Sequence, residues 1–333
     1  MTSLPRRPLR PLTATDPERV DGYRCRGLIG GMNLGYTYAA TDEAGRWYAV
    51  KVLSRVLTED PREAARIRRG LELVGRVGCP RLPPLVATGS LPSGTGGERL
   101  WYATSYVPGP DLGTLVHATG PLPEVRVRLV AAVLAEALAD LHAADLTHGN
   151  LSVFNVLLGP DGPLVCDAGP GPGDYREYHE TVDPALPLVV DPNAGGPGRP
   201  VAPAHDVFSW GALVLYAATG RSAVESDEDR ERLWREGVDL SGLPEDLRGP
   251  VEEALRRDPR ERPTAAELLS RLTGAAHPRA AVRTALAAHW SPLPEPLRLA
   301  HHPSRREHAR GALLLFAVLA ALALVVALSV LGL

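Results

Sequence analysis

The run Gly30-Gly-Met-Asn-Leu-Gly35 leads into Thr37-Tyr-Ala-Ala40, and Ala49-Val-Lys51 follows on the next apolar stretch. A strand, a glycine-bearing turn and a return strand ending in a lysine make one way to hold nucleotide phosphates. Backbone N–H groups approach the oxygens and the ammonium neutralises them. The loop alone carries little weight in a chain with 33 glycines. The lysine sharpens it, because Lys51 is the single lysine among 36 basic residues and all the others are arginine. A compact ammonium suits α- and β-phosphates, where a guanidinium fork is longer and differently shaped. A solvated surface lysine is the blander alternative.

Those residues need elements to position them. The chain has 333 residues, 44% hydrophobic and 23% charged, with a formal net charge of -3. That is enough for one large two-lobed core, and the charge gives no reason to expect nucleic-acid binding. Cys25, Cys79 and Cys166 lie far apart, without pairing or metal-ligand spacing, so the globular part reads as reduced and cytosolic. Residues 1–21 are rich in Pro and Arg with no apolar period and read as a disordered tail. From Tyr23 to Ala87 short β-like runs such as Arg46–Leu53 flank one helical stretch at 61–77. Residues 124–143 carry apolar side chains at helical spacing, and further helices are expected at 206–219, 227–235, 245–257 and 264–273. Strands first and helices second predict an α+β, two-lobed architecture, divided at residue 106. Residues 275–310 read as a connector, with room for a short helix near 280–289. Gly311–Leu333 then runs without a charge, about 35 Å as a helix, which suffices to cross a hydrocarbon core. Arg298, Arg305, Arg306 and Arg310 precede it, so the expectation is a single-pass cell-membrane anchor with the N-terminus and the globular part inside.

The ordered set of motifs resembles the bacterial eukaryotic-like (Hanks-type) Ser/Thr protein kinases. Thr104–Leu112 is similar to that family's hinge and the turn after it. His148-Gly-Asn-Leu-Ser-Val-Phe-Asn155 stands at the catalytic loop, and Cys166-Asp-Ala-Gly169 at the metal-binding motif. Asp206-Val-Phe-Ser-Trp-Gly211 resembles the helix that anchors the loop, and Asp258–Leu268 the terminal Arg-Pro-Thr signature. The resemblance covers roughly residues 22–274. It implies the two-lobed protein-kinase-like fold, with ATP and Mg2+ as cofactors. Gly30, Gly35, Lys51 and Tyr106 would bind the nucleotide, and Asn155 and Asp167 the metal; a turn former at Asn155 and a cap at Asp167 are the blander readings.

The departures from the family pattern bear on function. Asn150 stands at the catalytic-base position, where a neutral amide cannot take a proton; losing a general base typically costs about 10²–10⁴-fold in rate. Ser152 replaces the loop lysine that steadies the transferring phosphoryl group. Gly149 replaces the arginine that receives a phosphorylated activation segment, and Thr181 is the one hydroxyl residue of Ser or Thr type between Gly169 and Pro192. The helix glutamate that should pair with Lys51 falls at Gly70; Glu72 lies about 200° away around the helix, and Glu63 a whole two turns earlier. Met32 replaces a loop glycine, Ala168 the phenylalanine of the metal motif, and Asn193 the glutamate that pairs with Arg262. His148 is expected to hold the loop structurally. The expected function is therefore a membrane-tethered pseudokinase that binds ATP and regulates or scaffolds a partner protein. The alternative is a low-activity Ser/Thr protein kinase that transfers the ATP γ-phosphate to protein hydroxyls.

Overall fold

In the computed structural model, residues 9–32, 35–92, 98–168, 202–223 and 233–293 are described. The first lobe strings together β1 (Arg19–Val20), β2 (Tyr23–Met32), β3 (Gly35–Thr41) and β4 (Trp47–Leu53). Helix α1 (Pro61–Arg76) follows, then β5 (Leu85–Pro92) and β6 (Glu98–Ser105). Every pair is antiparallel and the order is β1-β2-β3-β4-β6-β5. The chain thus places β6 directly against β4, with Lys51 opposite Tyr102.

Alternation along the strands gives the sheet two faces. Tyr48, Val50, Val52, Trp101 and Ala103 point to one and pack with Cys25, Leu28, Tyr38 and Ala40. Leu53, Leu100 and Tyr102 point to the other and meet α1. That helix starts where Asp60 accepts the Arg62 N–H at 2.8 Å and Pro61 takes the first turn. It buries Ala64, Ile67 and Leu71, an apolar stripe at helical spacing.

The expectation of a tail over residues 1–21 is corrected from Leu9 onward. Arg10 bridges to Leu28, Leu12 packs on the outer sheet face, and β1 pairs with β2. The Tyr38 hydroxyl donates to Asp16 at 2.9 Å, which fixes the segment by a polar contact that no apolar period announces.

The second lobe contains α2 (Leu112–Thr119), α3 (Glu124–Ala143), a hairpin of β7 (Val156–Gly159) and β8 (Gly162–Val165), and α4 (Pro203–Thr219). It continues with α5 (Glu245–Ala254), α6 (Ala265–Thr273) and α7 (Pro278–His289). α3 and α4 form the centre of its core, with Leu134, Leu138, Phe208 and Trp210 fully enclosed. Glu136 is the exception on α3; it is buried, and Arg81 reaches it at 2.6 Å. Such a pair ties the turn after α1 to the second lobe.

The connector expected from residue 275 is also corrected. α7 buries Val282 and Leu286 in the helical core, and the Trp290 indole donates to Gly159 O at 3.0 Å. The helical lobe therefore extends at least to Leu293. Among the described residues no helix is long and apolar enough to cross a membrane. The uncharged run Gly311–Leu333 lies outside the described residues, as do Thr181, Asn193 and most of the helix expected at 227–235.

Candidate active site

The loop His148–Asn155 hangs from one buried carboxylate. Asp206, near the start of α4 and 2% exposed, accepts the His148 N–H through Oδ2 and the Gly149 N–H through Oδ1, both at 2.8 Å. His142, at the end of α3, meets the same Oδ2 at 2.9 Å. The His148 ring is fully buried; its Nδ1 accepts the Asn150 N–H at 3.2 Å, so Nε2 carries the proton and donates to Cys166 O at 3.1 Å. Burial pushes this imidazole below its ordinary pKa, against the opposing pull of Asp206 and Asp167. His148 is thus a neutral strut between the loop and the strand end at Cys166, the structural role its sequence position suggests.

The β7–β8 hairpin then brings the two expected metal ligands to one place. Cys166 N–H donates to Asn155 O at 2.9 Å just outside the hairpin's paired strands. The Asn155 side chain donates from Nδ2 to Asn150 O at 2.7 Å. That bond leaves its Oδ1 as the metal-facing kind of atom, with only a long contact to the Cys166 thiol at 4.0 Å. Asp167 follows in the left-handed region at φ 62, a conformation that costs a non-glycine residue about 1–3 kcal/mol unless its surroundings hold it.

Two side chains of the strand lobe do hold it. Lys51 ion-pairs with Asp167 Oδ2, and the Tyr102 hydroxyl donates to Oδ1 at 2.7 Å. The side chains of Lys51 and Asp167 are only 11% and 20% exposed. Burial raises the Asp167 pKa, but the Lys51 charge and the hydrogen bonds from Lys51 and Tyr102 outweigh it, so the carboxyl sits below its ordinary value.

α1 contributes no carboxylate to this corner. Gly70 lies within the helix, Glu63 pairs with Arg66 on the surface, and Glu72 is exposed. The glycine loop divides in two. A Cβ on Gly35, at φ 132, would meet Val52 O at 2.2 Å, so the sheet itself demands glycine there. A Cβ on Gly30 would meet nothing within 4 Å, which leaves open space above the strand. Tyr106 follows β6, donates its N–H to Trp47 O at 3.4 Å, and stacks obliquely on the Trp47 ring. It also lines a cavity of about 600 Å³ walled by residues 79–85 and 159–164, whose lining includes neither Lys51 nor Asp167.

The positions that departed from expectation are placed as follows. Asn150 and Ser152 are half-buried, and the Asn150 side chain makes no hydrogen bond among the described residues. Ala168 is buried in the helical core. Arg262 donates to Arg256 O at 2.8 Å and Ala204 O at 2.9 Å and stacks over the Phe208 ring. Tyr102 and the Arg81–Glu136 pair are functional or structural contacts that sequence reasoning missed. The register of β4 on β6 is the signal for Tyr102, and the Arg81–Glu136 pair joins the turn after α1 to α3; both are tertiary.

No protein-family model matches the chain. Among curated proteins it is similar to the serine/threonine-protein kinase AfsK of Streptomyces coelicolor, 34% identical over 266 residues, which cover 78% of this chain and 33% of that protein. It is similar also to the probable serine/threonine-protein kinase PkwA of Thermomonospora curvata, 34% identical over 269 residues, covering 80% and 36%. The chain thus spans about a third of the length of these relatives. Among solved structures, the PknI kinase domain of M. tuberculosis superposes with a TM-score of 0.60 at 22% identity, over 76% of this chain and 96% of that one. Rad53 residues 1–466 in complex with AMP-PNP superposes with a TM-score of 0.57 at 21% identity, over 74% and 64%. These structures share the fold.

Proposed function

This chain belongs to the bacterial Hanks-type Ser/Thr protein kinase family, and from that premise we propose that it is a pseudokinase: it binds Mg-ATP and transfers little or no phosphate. One observation carries the reading. The corner built by Lys51 and Asp167 retains its charged partners, while the base position holds a half-buried amide, Asn150, that cannot accept a proton. Ser152 removes a second element of transfer, the cation beside the moving phosphoryl group.

The donor set suits Mg2+. Asp167 offers a carboxylate held in its charged form, and Asn155 an amide oxygen whose orientation the Nδ2 bond to Asn150 O fixes; both are hard oxygen ligands. When bound, the ion would neutralise phosphate charge. The protein's own part is to orient: Lys51 presents an ammonium to the phosphates, Gly30 leaves room for their approach, and Asp206 holds the loop backbone through two N–H groups. A low-activity Ser/Thr kinase is the second reading, supported by the relatives' names and by phosphoryl transfer relying mainly on positioning and charge.

The reading extends to location. Gly311–Leu333 would anchor the chain in the cell membrane, with the kinase-like lobes on the cytoplasmic side as a scaffold or regulator for a protein partner. Two experiments test these parts. Mg-ATP should raise the melting temperature of the full chain, and Lys51→Ala should abolish the shift; no shift at millimolar Mg-ATP contradicts nucleotide binding. The full chain should sediment with membranes through a high-salt wash and stay in the supernatant when residues 311–333 are deleted. Release of the intact chain by salt alone contradicts the anchor.

A further inference from the structure

We infer that Tyr102 is a positioning residue of the nucleotide site, holding Asp167 in its metal-facing orientation where helix α1 supplies no carboxylate. The inference rests on the Mg-nucleotide reading of the corner and deepens it by naming what orients the metal ligand.

The argument is geometric. Asp167 offers two carboxylate oxygens, and each is held by a different strand of one sheet: Oδ2 by Lys51 from β4 and Oδ1 by the Tyr102 hydroxyl from β6. Lys51 and Tyr102 are direct partners in the β4–β6 register, so the sheet alone fixes the spacing of the two donors. A carboxylate oxygen has about two lone-pair sites, so each can accept one protein hydrogen bond and keep another site for a cation. Held at both oxygens, the carboxylate cannot rotate about its terminal bond without breaking a contact. Its backbone also sits in the left-handed region, which needs such support.

The Tyr102 ring is itself immobilised. It is 7% exposed and packs with Leu53, Leu57, Ala64, Ile67, Leu71 and Leu100. α1 therefore acts on the site through apolar contact with the ring that carries the hydroxyl, and not through a charge of its own. A hydroxyl on a rigid ring, mounted in the sheet, makes the orientation of Asp167 independent of any ion pair to the helix. A phenylalanine at 102 keeps all of that packing and deletes one oxygen, which isolates the claim.

The test uses the full chain in detergent, wild type and Tyr102→Phe, with a thermal melt to establish that both fold. Calorimetric affinity for ADP is measured in EDTA and in magnesium. Wild type should gain affinity from magnesium, and Tyr102→Phe should keep the metal-free affinity within about twofold while losing about fivefold or more of the magnesium gain. In parallel, amide hydrogen exchange without nucleotide should speed up over residues 166–168 in Tyr102→Phe and stay unchanged in β3 and β4. An unchanged or larger magnesium gain overturns the inference while the nucleotide reading stands. If wild type binds no ADP at all, the nucleotide reading fails, and the exchange measurement decides alone whether Tyr102 holds Asp167; unchanged exchange then sinks the inference too.

Discussion

The corner formed by Lys51, Tyr102 and Asp167 and the loop from His148 to Asn155 are built with equal care, yet they differ in what they can do. In the loop, every group that holds the backbone is present: the Asp206 carboxylate on two N–H groups, the neutral His148 strut, and Asn155 on the Asn150 carbonyl. The side chains that would react, at 150 and 152, are an amide and a hydroxyl. In the corner the holding groups are themselves the charged ones. Lys51 and Asp167 cannot be replaced singly without leaving a half-buried charge alone, whereas the Asn150 side chain makes no hydrogen bond among the described residues. Structural duty and chemical duty coincide in the corner and separate in the loop, and the proposed pseudokinase reading puts the loss of chemistry in the loop.

That contrast is open to attack from either side, and the largest effect is expected from restoring the loop. Asn150→Asp with Ser152→Lys should raise phosphate transfer to a generic protein acceptor by about 10²–10⁴-fold, the worth of a general base, read by label incorporation from γ-labelled ATP. No gain would place the deficiency in the corner, contrary to the comparison drawn above. Removing the strut should act on stability instead. Asp206→Ala leaves the buried His148 N–H and the half-buried Gly149 N–H without their acceptor, at up to about 1–3 kcal/mol each, and denaturant titration should show a loss of that order.

The buried His148 adds a smaller, pH-dependent effect. Its folded pKa is depressed, so as pH falls below about 6.5 the unfolded chain binds a proton that the folded chain refuses, and stability drops by at most about 1.4 kcal/mol per pH unit. Stability curves between pH 7 and pH 5 should flatten by about one proton in His148→Gln. The smallest effect on stability belongs to one of two glycines. Gly35→Ala should cost about 1–3 kcal/mol because its Cβ meets Val52 O, while Gly30→Ala should stay within about 0.5 kcal/mol and be felt in nucleotide affinity alone.

Much of this was legible in the sequence, for identifiable reasons. The α3 and α4 helices carry dense apolar patterns or motif residues, and the absence of a carboxylate at Gly70 follows from the resemblance to the kinase family. The two boundary corrections concern segments with little pattern to read: Leu9–Val20 is fixed by Leu12 and the Tyr38–Asp16 hydrogen bond, and α7 buries only Val282 and Leu286. Tyr102 was out of reach because β5 intervenes in sequence between β4 and β6, so nothing local reveals that Lys51 and Tyr102 face one carboxylate. The Arg81–Glu136 pair is hidden likewise, its partners 55 positions apart in sequence.

The central claim is that this chain binds Mg-ATP through the corner without turning it over through the loop. Equilibrium binding and transfer, measured on one preparation of the full chain with γ-labelled ATP, address it directly. The expected result is saturable, magnesium-dependent binding that Lys51→Ala removes, with label incorporation into acceptor protein no greater than in Asp167→Ala. Robust incorporation by the wild-type chain that disappears in Asp167→Ala would contradict it.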